Sequence, residues 1–168
     1  MKKILAAFML MCIAGVLVGC SKDNDDTVSE DIIITNSVDG IVKDFFDSEL
    51  PVNLMLTDKT VFLWNGDPWS ESYTLINSME EFQALYRGQK QLPQIDFSTQ
   101  TLVVGWLTSG AESGTELEID KKTNELNVYV FRLKDHAYSE MYYSIGYWGV
   151  FPKLKTKPDK VNYIHEWR

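Results

Sequence analysis

The first strong pattern along the chain is an apolar run from Ile4 to Gly19, preceded by Lys2 and Lys3. At 16 residues it is shorter than the roughly 20 a membrane-spanning helix needs. A basic start, a short apolar stretch and a small residue before a cut fit an export signal. The next stretch, Ser21 to Asp31, is polar and acidic, which predicts a solvated tether. From Ile32 to Arg168 apolar and polar positions are interleaved as in one globular domain, with no internal repeat.

Within that domain the periodicities differ by segment. Ser78-Met79-Glu80-Glu81 begins a helix: Ser78 caps, and Glu81 completes a capping box. Phe82, Leu85 and Tyr86 then give one apolar face, and Gly88 supplies a stop, which predicts a short helix over 79–87. Gly40 to Leu50 fits a strand or a helix; Ile41, Val42, Phe45 and Phe46 form a loose helical stripe that Pro51 ends. Asn53–Leu56 and Thr60–Trp64 read as strands about an Asp58-Lys59 turn, and Ser72–Ile76 as another. Thr101–Thr108 is apolar on both faces, so both should be covered, and Gly105 within it points to a close approach or a bulge. Glu116 to Asp120 alternates strictly, Lys121 to Glu125 turns, and Leu126 to Leu133 returns as the second arm of a hairpin. Glu140–Val150 and Val161–Trp167 complete the strands. The expected class is α+β, mostly antiparallel β with one clear short helix (79–87), in a single compact domain.

Composition narrows the function. With two Cys and two His, the chain is neither a disulfide-stapled mini-protein nor a Cys/His zinc module. Net charge is −8, so nucleic acid is a poor partner. No cofactor or metal motif is visible. Asp23, Asp25 and Asp26, or Glu116, Glu118 and Asp120, lack the calcium-loop pattern with its Gly and terminal Glu.

The apolar run ends in Leu17-Val18-Gly19-Cys20. This resembles the bacterial lipobox at all four positions. The resemblance implies diacylation of the Cys20 thiol, cleavage before it and acylation of the new amino group. Residues 1–19 would then be a lipoprotein signal peptide and 20–31 an acidic tether. Cys12 would leave with the signal, so no thiol or disulfide would remain. Losing Lys2 and Lys3 leaves 14 basic against 24 acidic side chains, a net −10. Acidic residues directly after the lipidated Cys also resemble the export signal of surface-exposed lipoproteins in Bacteroidetes; a spacer facing the periplasm is the alternative. The expected location is the outer membrane, held by lipid.

The segments Ile76-Asn77-Ser78-Met79-Glu80-Glu81-Phe82, Leu92-Pro93-Gln94-Ile95-Asp96-Phe97-Ser98, Thr101-Leu102-Val103-Val104-Gly105 and Tyr147-Trp148-Gly149-Val150-Phe151-Pro152-Lys153-Leu154 together resemble a group of small Bacteroidetes outer-membrane lipoproteins. That resemblance spans about half the chain and brings no activity with it. The order of helix, Pro-x-Ile-Asp-Phe, apolar strand, hairpin and Pro-Lys also resembles the C-terminal domain of PrcB-type protease-complex subunits, which implies a related fold. Where those carry a Gly-Gly-aromatic turn, this chain has Ser109-Gly110-Ala111-Glu112-Ser113-Gly114.

Catalytic constellations are sparse. His136 and His165 stand near no nucleophile motif and read as ordinary polar residues. Glu116, Glu118 and Asp120 share a strand face about 6.6 Å apart per pair, a spacing compatible with glycoside hydrolysis, although three like charges in a row more simply make a solvated face. The aromatics are the more usable signal. Trp64, Trp106 and Trp148 are expected in the core. Trp69 follows the turn Asn65-Gly66-Asp67-Pro68 and is expected at the surface beside Asp67, a pairing suited to a sugar ring or a protein contact. In the series Tyr138, Tyr142, Tyr143 and Tyr147, Tyr143 and Tyr147 share one strand face while Tyr142 and Trp148 take the other, so one set should point outward. The resulting expectation is a non-enzymatic binding module on the membrane, contacting an envelope protein or glycan through Trp69, Asp67, Tyr142 and Tyr143. A protease-associated subunit or inhibitor is the alternative, and a glycan hydrolase using Glu116, Glu118 and Asp120 a further one.

Overall fold

The computed structural model describes residues 32–35, 38–50, 54–55, 72–109, 114–132 and 143–168. In chain order these form β1 (Ile32–Ile34), α1 (Gly40–Glu49), β2 (Leu54–Met55), β3 (Ser72–Ile76), α2 (Met79–Leu85), β4 (Gln100–Ser109), β5 (Gly114–Asp120), β6 (Glu125–Arg132), β7 (Tyr143–Pro152) and β8 (Lys160–Trp167). The α+β class is as expected. Sheet one has the order β1-β5-β6-β8 and sheet two the order β2-β7-β4-β3. Every pairing is antiparallel except that of β6 with β8, which is parallel.

The two-faced apolarity of β4 has a direct cause. Its odd residues Val103 and Leu107 pack with Leu117 and Ile119 of β5, Leu126, Val128 and Val130 of β6, and Ile145, Tyr147 and Phe151 of β7, in a core between the sheets. Its even residues Leu102 and Val104 pack with Val42, Phe45, Phe46 and Leu50 of α1 and its cap and Phe82 of α2, in a second core beneath the helices. Sheet two is therefore the middle of three layers, which is why β4 and β7 lack a polar face. The same layering turns the two described members of the expected aromatic sets on β7 inward: Tyr147 is fully buried between the sheets, and Trp148 packs half-buried under α1 against Phe46. Trp106 is buried as expected, whereas Trp167 is 51% exposed. Trp64, and the strand and turns expected over 56–71, lie outside the described residues.

Residues 40–49 resolve as helix. Asp39 caps it, its carboxylate accepting the Val42 N–H at 2.9 Å. Val42, Phe45, Phe46 and Leu50 face the core, but Ile41, expected in that stripe, is 71% exposed. At about 100° per residue, the position before Val42 turns to solvent. Helix α2 begins at the expected cap: Ser78 Oγ accepts from the Glu81 N–H at 3.1 Å, while the Glu81 carboxylate reaches one residue beyond the capping-box position and accepts the Asn77 N–H at 2.6 Å. It ends at Leu85, not Arg87. Tyr86 is extended (φ −86°, ψ 133°), which sends its ring against Phe45 and its hydroxyl to Glu49 Oε2 at 2.7 Å. Gly88 is no cap. A Cβ there would lie 2.0 Å from the Tyr86 hydroxyl, so glycine admits the returning ring.

Gly105 marks a close approach, as its position predicted. It stands opposite Tyr147 on one side and Tyr73 on the other. A Cβ at Gly105 would lie 2.3 Å from the Tyr147 ring. That ring crosses the gap to donate from its hydroxyl to the Ser72 carbonyl at 3.2 Å, and meets the Tyr163 hydroxyl of sheet one at 3.1 Å. Gly105→Ala is expected to cost about 1–3 kcal/mol by overpacking. Tyr147→Ala is costly alone, but the double variant should cost less than the sum of the two by about 1–2 kcal/mol, because the clash goes with the ring. Denaturant melts of the three variants measure this, and strict additivity would contradict it.

Candidate functional site

The residues of the 76–154 resemblance come together as a clamp rather than a cleft. Thr101 is buried; its hydroxyl donates to Asn77 Oδ1 at 2.7 Å and accepts the Leu154 N–H at 3.1 Å. Lys153 Nζ donates to the carbonyls of Phe97 at 2.8 Å and Asn77 at 3.3 Å. Asp96 accepts from Ser98 and Thr99, and these bonds hold its carboxyl below its ordinary range. Asn77, Asp96, Thr101 and Lys153 thereby join the start of α2, the entry to β4 and the exit of β7. They are scaffold.

The three candidate carboxylates of β5 do share the outer face of sheet one, and each is engaged there. Glu116, exposed, pairs with Arg168 at 3.1 Å, whose guanidinium lies over the Phe131 ring. Asp120 Oδ1 accepts the N–H groups of Lys122 (2.8 Å) and Thr123 (3.2 Å), closing the turn after β5. Glu118 Oε1 accepts from Asn127 Nδ2 at 2.9 Å and from the Tyr129 hydroxyl. Asn162 extends the chain of bonds, its Nδ2 donating to Asn127 Oδ1 and Glu125 Oε2. This is a polar ladder across β5, β6 and β8 on an open sheet face. Among the described residues no three His, Cys, Asp or Glu side chains gather to hold a metal.

The ladder leaves one measurable mark. The hydrogen bond to Glu118, with burial second, pushes the Tyr129 hydroxyl up to about 12. The folded state thus favours neutral Tyr129. The stability it adds is fully present below about pH 10 and is lost as pH rises from 10 towards 12. In an NMR titration of the tyrosine Cζ resonances, Tyr129 is expected to ionise near 12, and in Glu118→Gln to move back towards 10. An unmoved midpoint in that variant would contradict the ladder.

A concave feature lies elsewhere among the described residues. A groove of about 480 Å³ runs between α1 and β7. Trp148, Leu50, Val38 and Val150 make its apolar part, Thr35 and Thr115 its polar part, and the exposed Lys43–Asp47 ion pair stands on its rim. Gly146 and Gly149 let the chain come close: a Cβ at Gly146 would lie 2.2 Å from Leu50, and one at Gly149 2.5 Å from Thr35. This volume is within the usual range for small-ligand sites. Sequence reasoning missed the groove, because its walls come from segments remote in the chain; the glycine pair on β7 was the available signal.

Of the residues singled out beforehand, Cys20, Asp67, Trp69, Tyr142 and His136 lie outside the described set. Tyr143 opens β7, opposite Met55 and Ser109, and His165 is exposed on β8. Comparison with protein-family models, curated proteins and solved structures finds no match.

Proposed function

We propose that the chain is a lipid-anchored lipoprotein of the outer membrane whose globular head acts as a non-enzymatic binding module. The observation that carries the placement is Leu17-Val18-Gly19-Cys20 at the end of a 16-residue apolar run behind Lys2 and Lys3. Two or three acyl chains on Cys20 hold a protein firmly where one would not. The binding role is supported by the engagement of Glu116, Glu118 and Asp120 in structural bonds, and by a groove beside α1 with both apolar and polar walls. The partner class is an envelope glycan or protein, with Trp69, Asp67, Tyr142 and Tyr143 as the contact residues proposed on the head.

Metabolic labelling tests the anchor: radiolabelled fatty acid should enter the chain, and absence of label would end the reading. Glycan arrays probed with the full chain test the head. Retention that disappears in Trp69→Ala supports it; no retention, or retention indifferent to that change, counts against a glycan. The order α2, residues 93–97, β4 and the β5–β6 hairpin supports a second reading, a protease-associated subunit. Co-purification with a protease is its test.

A further inference from the structure

The chain enters the described fold at Ile32, and β1 sets that entry opposite Asp120, the last residue of β5. The turn that follows carries Lys121 and Lys122. Beside it, β8 starts at Lys160, opposite Glu125. The connection from β7 is tied to the same turn: the Asp159 N–H donates to the Asn124 carbonyl at 2.8 Å, and Asn124 Nδ2 donates to the Lys157 carbonyl at 3.0 Å. That connection carries Lys155 and Lys157. Five exposed lysines of an acidic protein therefore gather where the chain comes in from its N-terminal segment. Among the described residues, three carboxylates stand on the same strands and turns. Asp120 is taken up by the turn amides, Glu125 by Asn162, and Asp159 is exposed near Tyr73. Lys157 lies over the Tyr73 ring at 4.9 Å. Among the described residues of this end five lysines stand against three carboxylates, whereas the chain as a whole is acidic.

We propose that this lysine-bearing end faces the bilayer and docks on its anionic phospholipid headgroups, adding a second, electrostatic attachment to the lipid. The proposal rests on the anchored reading above, since Cys20 is what brings the bilayer near. From Ser21 to Asp31 there are eleven residues, which reach about 40 Å at full extension. Because the chain enters at Ile32, beside this end, a tether of that reach lets the Lys121–Lys160 end meet the surface. Each lysine close to an anionic surface strengthens binding about fivefold, and the effect fades beyond a Debye length of about 10 Å. The tether's own Asp23, Asp25, Asp26, Glu30 and Asp31 are the rival occupant of the same lysines.

The test uses the unlipidated chain from Ser21 onward, which retains every residue of both cores. It is floated with vesicles of phosphatidylcholine alone, or with about one-third phosphatidylglycerol. Binding to the anionic vesicles only, at low salt and released by about 0.5 M salt, is expected. Lys122→Gln, Lys155→Gln and Lys160→Gln together should weaken it roughly a hundredfold, from about fivefold per lysine. The same charge loss at Lys43, Arg87 and Lys90, on the helix layer and after it, should leave most of the binding. No binding to anionic vesicles, or equal losses from the two triple variants, would overturn the proposal. So would binding that appears only after Asp23, Asp25 and Asp26 are changed to Asn, because the occupant would then be the tether. Fatty-acid labelling reads the anchor and flotation reads the lysines, so the two ideas fail separately.

Discussion

Replacing Cys20 by Ala is expected to abolish fatty-acid incorporation and to remove the processed form of the protein. The thiol at this position is the only one that the cut before residue 20 would leave. Burial of an acyl chain contributes about 0.8 kcal/mol per methylene, and a single myristoyl chain gives only marginal, reversible attachment, near 10⁴ M⁻¹. Two chains on one residue move the partition by further orders of magnitude, so the attached form should resist a high-salt wash. A chain begun at Ser21 behind an ordinary cleavable export signal should then be found in the soluble fraction after the same wash, a shift of more than a hundredfold. The uncut Ala variant keeps its 16 apolar residues, short of a full span, so label and processing are its proper readouts. Undiminished label in Cys20→Ala, or a Ser21 chain that stays with membranes through the wash, would remove the anchor. The salt wash also separates this attachment from that of Lys122, Lys155 and Lys160, which is electrostatic and screened.

Much of the fold was legible because its signals are short-range. The bounds of β3 follow from Ser72-Tyr73-Thr74-Leu75-Ile76 alone, and the β5–β6 hairpin from the switch between strict alternation and a polar turn. Continuous apolarity over 101–108 announced two covered faces, and Gly105 announced the Tyr147 ring. The rest depends on which layer a strand joins, and local period carries no information on that. Tyr147 and Trp148 alternate as neighbours on any strand must. Only a helix layer on one side and a second sheet on the other turns both inward. The end of α2 was misread for a related reason. Gly88 is a good local stop, but the pull of Tyr86 towards Phe45 and Glu49 comes from α1, more than thirty residues earlier. The parallel pairing of β8 is set by a crossover between sheets, which alternation in Val161–Trp167 cannot show. At the candidate site, strand parity correctly placed Glu116, Glu118 and Asp120 together. The partners of Glu116 and Glu118 (Arg168, Asn127 and Tyr129) stand on other strands or after β8, and with Asn162 bonded to Asn127 they make a ladder out of what resembled a catalytic spacing.

Phe46→Ala should be the most damaging single change in the described core. The ring is fully buried, stacked on Trp148 at 4.4 Å and on Phe82 at 6.0 Å, with Phe45 edge-on at 5.2 Å. It thus touches α2, the middle sheet and its own helix at once, within a cluster of apolar side chains. Removing a buried Phe ring costs about 3–5 kcal/mol, part for lost transfer from water and part for a cavity that the neighbours fill incompletely. Against a total of about 5–15 kcal/mol that is a large fraction of the stability. The melting temperature should fall by about 10–15 °C. Phe46→Leu keeps most of the volume and should cost about 1–2 kcal/mol. The control lies on the same helix: Ile41→Ala, at a side chain 71% exposed, should change stability by no more than about 0.5 kcal/mol. Thermal melts followed by far-ultraviolet dichroism measure all three. Trp148 adds a local reading, since its emission should change in Phe46→Ala and not in Ile41→Ala. If Phe46→Ala and Ile41→Ala melted alike, α1 would not be packed on sheet two through Phe46, and the groove between α1 and β7 would lose its wall.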